Sequence, residues 1–411
     1  MFGASIGNGG LQMKKIISII LGFLLVFSLG IIMAEDYTNT PFASIDNPTS
    51  LYIYDLNKDG KDEVLVSSTN GKLFAFDTSG IEKWSYDAKE APYSIYVGDI
   101  DGDNLADIIL GTGKIDPQSF RFSSGKVIVL NHFGRIKWDY GTTSAVKSIY
   151  VDDFDKDGKK DILASSDDGI LYVLENNGTL KWDTFTGSKS PAFAANVLGG
   201  ADTVIVHGQA VLNSNGKIIR RAPDFFEWKK YILTDLNKDG KTEFLMVSHY
   251  PFVTAFNLEN ADLKAVWQYQ CEEDAMDAIV YDLDGDGKIE VIISSAKWLD
   301  SSNTYGEGKI YIVNGNDGSL KMSIPSSAPT FYLGVTDINN DGKKDIVYTS
   351  DKGVNTFIYG LPKQVEEPKE QLPPKEEPKP IETPPKNTPG FEIGALGAAT
   401  ILVGYYLKRR K

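Results

Sequence analysis

The chain has 411 residues, with 56 Asp and Glu against 42 Lys and Arg, for a formal net charge of −14. This acidity, with no basic stripe, excludes a nucleic-acid partner, because phosphate binding needs clustered positive charge. The single cysteine, Cys271, excludes an intrachain disulfide, so an exported chain of this kind needs another source of stability.

At the N-terminus, Met13-Lys14-Lys15 precedes an apolar run from Ile16 to Met33, and Ala34 leads into Glu35-Asp36. A charged start, an apolar centre and a small residue at the cut mark residues 1–34 as a secretory signal, with Met13 as the expected start. A retained anchor is the alternative, since the run just spans a bilayer at ~1.5 Å per residue.

Residues 35–361 are expected to form the globular part. Six acidic segments recur there: Asp55-Leu-Asn57-Lys-Asp59-Gly60-Lys61-Asp-Glu63, Asp99-Ile-Asp101-Gly-Asp103-Asn104-Leu105-Ala-Asp107 and Asp153-Phe-Asp155-Lys-Asp157-Gly158-Lys159-Lys-Asp161 form the first group. Asp235-Leu-Asn237-Lys-Asp239-Gly240-Lys241-Thr-Glu243, Asp282-Leu-Asp284-Gly-Asp286-Gly287-Lys288-Ile-Glu290 and Asp337-Ile-Asn339-Asn-Asp341-Gly342-Lys343-Lys-Asp345 form the second. Each lies between β-type runs, such as Ser94 to Val97 before and Ile108 to Leu110 after, so it is a hairpin loop. Two further strands follow, as in Lys72 to Phe76 and Ile81 to Trp84. Four strands every ~40–55 residues is the pattern of propeller blades.

The long gap after Asp161 suits a blade without an acidic loop, built from Phe193–Val197, Thr203–His207, Ala210–Leu212 and Lys217–Arg220. The fold class expected is therefore all-β, a seven-bladed β-propeller. Its last blade lacks a strand, and Pro41 to Ile45 is the spare one that would close the ring. Trp84, Trp138, Trp182 and Trp267 recur at one place in the fourth strand, which favours packing between blades over a ligand stack.

In the acidic loops, alternate side chains at positions 1, 3 and 5 turn oxygens inward. Position 7 (Lys61, Leu105, Lys159, Lys241, Lys288, Lys343) can offer a backbone carbonyl, and position 9 adds a carboxylate. Oxygen-only ligation suits calcium, up to six ions; zinc would want His or Cys. An EF-hand is excluded, since position 12 is apolar and the flanks are strands. Asx-turns without metal are the alternative, although several carboxylates in nine residues repel one another without a cation.

These strand-flanked loops resemble FG-GAP repeats, as in the integrin α-subunit propeller, over most of residues 51–361. The resemblance implies calcium at Asp55, Asn57, Asp59, Glu63 and their counterparts. Asn104 in place of Gly makes the second site less certain, and the Phe-Gly and Gly-Ala-Pro words of the family are not evident. Gly71-Lys-Leu-Phe-Ala-Phe-Asp-x-x-Gly80-x-x-x-Trp84 is also similar to quinoprotein repeats. The vicinal cysteine pair of many such dehydrogenases is impossible with Cys271 alone.

With this topology the acidic loops and the chain exit share one face. The opposite face carries the longer connections: Gly111 to Gly125 with Phe120 and Phe122, Ser294 to Gly308 with Trp298 and Tyr305, and Ala222 to Lys230 with Phe225, Phe226 and Trp228. Aromatic residues on loops suit recognition of carbohydrate or protein; folding back to cap the ring is the alternative. His132, His207 and His249 are dispersed and read as structural, and Cys271 reads as a buried filler. Asn177-Gly178-Thr179 is a glycosylation sequon in a turn.

From 362 to 388 the chain is nearly all Pro, Glu, Lys, Gln and Thr, a stalk that reaches ~80 Å when extended. Residues 389–411 follow with Pro389-Gly390-Phe391, an apolar stretch to Leu407, and Lys408-Arg409-Arg410-Lys411. This order resembles the archaeal PGF-CTERM signal. The resemblance implies cleavage by an archaeosortase and a lipid anchor, with a plain transmembrane helix as the alternative. The whole reads as an extracellular protein anchored at its C-terminus. Its expected role is non-enzymatic recognition or adhesion, with an exported dehydrogenase or polysaccharide lyase, or a structural envelope component, as alternatives.

Overall fold

The computed structural model describes residues 37–195, 203–221, 228–248, 250–257 and 264–359; the signal, stalk and sorting segments, with Phe225, Phe226 and His249, lie outside them. No helix among the described residues is long and apolar enough to cross a membrane. Among the described residues the alternating apolar runs form 28 strands, all paired antiparallel.

Blade 1 is β2 (Pro48–Tyr54), β3 (Glu63–Ser68), β4 (Lys72–Phe76) and β5 (Glu82–Asp87). Blade 2 is β6 (Ala91–Gly98), β7 (Asp107–Ile115), β8 (Phe122–Asn131) and β9 (Ile136–Thr142). Blade 3 is β10 (Val146–Asp152), β11 (Asp161–Ser166), β12 (Ile170–Glu175) and β13 (Leu180–Phe185). The fourth, predicted to lack an acidic loop, is β14 (Ala192–Ala195), β15 (Val204–His207), β16 (Ala210–Leu212) and β17 (Ile218–Arg221). Blade 5 is β18 (Lys230–Thr234), β19 (Glu243–Val247), β20 (Phe252–Asn257) and β21 (Lys264–Gln270). Blade 6 is β22 (Asp274–Tyr281), β23 (Glu290–Leu299), β24 (Thr304–Asn314) and β25 (Leu320–Ser326). In blade 7, β26 (Leu333–Thr336), β27 (Asp345–Ser350) and β28 (Gly353–Tyr359) are completed by β1 (Tyr37–Ser44), in the order β1-β28-β27-β26. The spare N-terminal strand therefore closes the ring, and it is longer than the expected Pro41–Ile45.

First strands of successive blades meet around the axis: β26 touches β2, β2 touches β6, β6 touches β10, and β18 and β22 follow the same pattern. Second strands are covered on both faces by neighbouring blades, so every residue of β3, β11 and β27 is buried. That explains their unbroken apolar or small-residue character. Outer strands such as β5 and β9 alternate, with one face in water. Tyrosines tie the inner strands together: Tyr150 donates to the Ala194 carbonyl at 3.1 Å and Tyr231 to that of Ala192 at 2.5 Å.

The four tryptophans sit between blades, as expected. Trp138, Trp182 and Trp267 donate their indole N–H to the carbonyls of Asn176, Ser214 and Gly315 in the next blade. The partner surface is the turn glycine of that blade. A Cβ on Gly134, Gly178, Gly216 or Gly318 would come within 2.5–2.9 Å of the rings of Trp84, Trp138, Trp182 and Trp267 respectively. At the seam between blades 7 and 1, Gly80 meets Phe42 of β1 instead. Cys271 is buried in the core between blades 5 and 6, and burial, with Glu273 beside it, pushes its thiol up to about 12, as an inert filler requires.

Candidate functional site

The acidic loops lie at one end of the ring and share a single backbone design. The position-1 carboxylate caps the backbone N–H of position 6: Asp55 to Gly60 at 2.8 Å, Asp153 to Gly158 at 3.0 Å, Asp235 to Gly240 at 2.8 Å. The N–H of position 7 donates to the position-5 carboxylate, as in Lys61 to Asp59 at 2.9 Å. Position 9 opens the second strand from a buried site, and one of its oxygens accepts the N–H of position 2: Leu56 to Glu63 at 2.9 Å, Leu283 to Glu290 at 2.9 Å, Ile338 to Asp345 at 3.0 Å.

The sixth residue is left-handed in every loop, and Asn104 adopts it with φ 65. Asn104 thus keeps the backbone shape of the other loops, since Asn tolerates this region better than most residues. Position 4, unremarked in the sequence, is also left-handed, at Lys58, Gly102, Lys156, Lys238, Gly285 and Asn340.

Three loops gather carboxylates that could hold a metal ion, with ligand oxygens within 4.8 Å of one another: Asp99, Asp101 and Asp107; Asp153, Asp155 and Asp157; Asp282, Asp284 and Glu290. Two buried oxygens there, Asp161 Oδ2 and Asp282 Oδ1, have no hydrogen-bond partner. In the other three loops position 3 is Asn, whose amide donates to the position-5 carboxylate: Asn57 to Asp59 at 3.1 Å, Asn237 to Asp239 at 3.3 Å, Asn339 to Asp341 at 3.0 Å.

Sequence reasoning missed a second source of positive charge. Fourth strands carry a bulge one residue before the Trp position, and this turns the extra residue toward the acidic loop. In four blades that residue is lysine. Lys83 reaches Glu63 at 2.5 Å; Lys137 reaches Asp101 and Asp107 at 2.5 and 2.8 Å; Lys181 reaches Asp155 and Asp161 at 2.5 and 2.9 Å; Lys321 reaches Asp284 and Glu290 at 2.9 and 2.8 Å. The available signal was the repeated Lys-Trp pair at 83–84, 137–138 and 181–182. In blade 5 the bulged residue is Val266, and in loop-less blade 4 it is Ile219; both are exposed.

Electrostatics follow burial. Desolvation pushes Asp161 up to about 6 despite Lys181, and raises Asp107 despite Lys137. Glu243 is also raised, first by burial and then by Asp239 and Asp235. The hydrogen bond from Lys137 holds exposed Asp101 below the usual carboxylate range. A recess of about 460 Å³ lined by Ile53, Tyr54, Asp62, Tyr281, Val335 and Lys344 lies among blades 6, 7 and 1 at this end. β28 finishes at Tyr359 on the same face, so chain exit and acidic loops share it as expected.

The opposite end differs from the sequence reading in two respects. The connections 111–125 and 294–308 are largely strand: β7 pairs with β8 out to Ile115 and Phe122, and β23 with β24 out to Leu299 and Thr304, so two long hairpins stand up from blades 2 and 6. Trp228 is not a surface residue. It is 2% exposed and packs on Phe193 and Phe244, with ring centroids 6.3 and 5.6 Å away. Phe120 is exposed, whereas Phe122 is half-buried edge-on to Tyr93 at 5.5 Å. Trp298 and Tyr305 contact each other at 5.0 Å, and Tyr305 meets Phe331 at 5.9 Å, a half-buried aromatic series on this face.

Polar groups gather at the same mouth of the channel. Lys147, near the start of β10, sets Nζ over the rings of Tyr93 and Phe122, 3.4 and 4.2 Å from their centroids. Burial pulls its ammonium down to about 8, with Asp167 opposing and Lys189 adding to the shift. Lys230 pairs with buried Asp277 at 2.6 Å, and Asp277 also accepts the N–H of Leu333 at 3.0 Å. Burial, with Asp277 adding to it, raises the Tyr332 phenol well above its usual range.

His207 is wholly buried, bonded through Nδ1 to Thr186 at 2.8 Å, and burial lowers it to about 4. This is a structural histidine. Asn177 is exposed in the turn between β12 and β13, where a sequon would be accessible.

Residues 44–115 and 122–219 match the model of the lambda-carrageenase beta-propeller domain, and residues 282–348 match an FG-GAP-like repeat. A search of curated protein sequences gave no match. Among solved structures the chain is similar to BBS1N, crystallised in complex with ARL6DN and soaked with lead, at TM-score 0.57 and 11% identity over 79% of this chain and 96% of that one. BamB from Moraxella catarrhalis aligns at TM-score 0.48 and 16% identity, covering 78% and 97% of the two chains. A Bacillus licheniformis rhamnogalacturonan lyase, PL11, aligns at 0.47 and 13%, covering 80% and 73%. At these identities the likeness is one of fold. The chain is thus a seven-bladed β-propeller in which a carrageenase-type propeller domain and an FG-GAP-like repeat are found.

Proposed function

We propose that this protein is an extracellular recognition module, stabilised by calcium and anchored at its C-terminus, that binds carbohydrate or protein through the face opposite its acidic loops. The observation that carries the reading is the division of labour between the two ends of the ring. One end holds the loops and the chain exit; the other presents Trp298, Tyr305, Phe120 and Phe122 beside the channel mouth. Aromatic rings with nearby polar groups in a concave site suit ligand binding.

Calcium at up to six loops fits the donor set. Carboxylates at positions 1, 5 and 9, with Asp or Asn at position 3, offer hard oxygen ligands, and the unpartnered buried oxygens of Asp161 and Asp282 are groups a cation would satisfy. The position-7 carbonyls, from Lys61 to Lys343, would complete the shell. Anchoring would run through the PGF-CTERM-like tail, with an archaeosortase-type enzyme and the membrane as partners.

A second reading, an exported polysaccharide-acting enzyme, is favoured by the carrageenase-type match together with the Lys, Tyr and Asp groups at the channel mouth. The experiment is to screen the whole chain against glycan and envelope-protein arrays, with calcium and with chelator, and to assay the bound glycans for chain cleavage. Binding without turnover supports recognition, turnover supports the enzyme, and neither leaves only a structural envelope role.

A further inference from the structure

We infer that the channel mouth opposite the acidic loops binds an acidic sugar, with Lys147 Nζ holding its carboxylate or sulfate. The inference rests on the recognition reading and names the ligand class of that same face.

A charged group removed from water is costly unless a counter-charge meets it. Lys147 makes no ion pair among the described residues; its contacts are the faces of Tyr93 and Phe122. Cation–π contact replaces part of the lost hydration without neutralising the charge. The acid that faces it, Asp167, is already paired with Lys189 at 3.0 Å.

Lys229 repeats the situation across the ring. Its Nζ donates to the Ala275 carbonyl at 2.8 Å and lies 3.8 Å from Met276 Sδ, and burial lowers it as well, with Asp274 opposing. Lys230, beside it, is matched by Asp277. The mouth of an otherwise acidic chain therefore holds two desolvated ammonium groups, Lys147 and Lys229, with no carboxylate in contact among the described residues. An anion would complete them.

The surroundings favour a sugar as its carrier. The hairpins of blades 2 and 6 stand on different sides of the ring and wall the mouth with Phe122 on one and Trp298 and Tyr305 on the other. Half-buried rings offer apolar faces to a pyranose, while Lys147 and Lys229 select one that bears negative charge.

The test titrates the whole chain with polygalacturonate, dextran sulfate and neutral dextran by calorimetry. Binding of at least one polyanion and not of dextran is expected, weakened tenfold or more by Lys147→Met and retained by Lys147→Arg. Lys147→Met should melt no lower than the parent, because it deletes an uncompensated charge. A pH series needs no variant: affinity should fall as pH rises from 7 to 9.5, where both polyanions stay ionised. The groups facing Lys147 are then Asp167, Lys189 and Tyr93, the last kept neutral by burial up to about 12. Equal binding of dextran, or polyanion binding unmoved by Lys147→Met and by pH, overturns the acidic-sugar inference and leaves recognition standing. If none of these polymers binds and the arrays are also blank, the recognition reading itself falls, and the inference with it.

Discussion

Lys181 Nζ lies 2.9 Å from Asp161 Oδ1, under an acidic loop in which the other carboxylate oxygen, Asp161 Oδ2, is buried without a partner. Lys181 thus addresses carboxylates of the same loop whose Asp153, Asp155 and Asp157 could hold a cation. Replacing Lys181 by Met leaves Asp161 desolvated and unpaired, a loss of about 3 kcal/mol, or roughly 6 °C in melting temperature. With millimolar calcium most of that loss should return, and with chelator it should not. Identical melting of the variant in calcium and in chelator would sink the metal assignment for this loop.

Blade 5 offers the reverse experiment. Val266→Lys places an ammonium at the bulge position that in blade 1 brings Lys83 to Glu63, the counterpart of Glu243. The substitution should make the protein less sensitive to chelator, measured as the difference in denaturation midpoint with and without calcium. A larger difference than in the parent would contradict the shared-carboxylate account.

His207 sets a pH dependence of stability. Its folded value of about 4 lies below the ordinary value of 6.5, so between those limits the unfolded chain binds more protons. Stability from this group is full above pH 6.5 and is lost as pH falls toward 4, by up to about 3 kcal/mol. Urea titrations at pH 4.5 and 7 should show this slope, and His207→Gln should flatten it.

Gly318 and Gly60 separate packing from backbone shape. Both have positive φ, but a Cβ on Gly318 would lie 2.7 Å from the Trp267 ring, whereas on Gly60 it meets nothing within 4 Å. Gly60→Ala should cost about 1 kcal/mol and Gly318→Ala about 3 kcal/mol or more, read from chemical denaturation. Equal costs would mean that the Trp–Gly seat between blades relaxes freely.

The seven blades, the loop-less fourth and the closing strand were legible because hydrophobic alternation and the spacing of the acidic segments repeat. The bulged lysines were not. A lysine one residue before a tryptophan reads as an ordinary exposed residue until the register slip between Ala75 and Phe76, and its counterparts, turns it inward. Trp228 misled for the opposite reason: it stands between two blades in the sequence and reads as a loop residue, yet it is buried on Phe193. Lys147 of blade 3 meets Tyr93 and Phe122 of blade 2 only because adjacent blades pack together. Stretches 111–125 and 294–308 read as loops because their Gly and Ser content hides strands that pair beyond the blade.

Ring closure has a mechanical consequence. Tyr37 pairs with Tyr359, so the first and last residues of the closing pair lie side by side at the acidic end. Force applied between the two ends of the propeller would act across β1 and β28 as on the open end of a zipper. The hydrogen bonds would then load one at a time, from Tyr37 toward Ser44, instead of together as in shear. The seam is therefore where tension would open the ring first, with the remaining blades still paired.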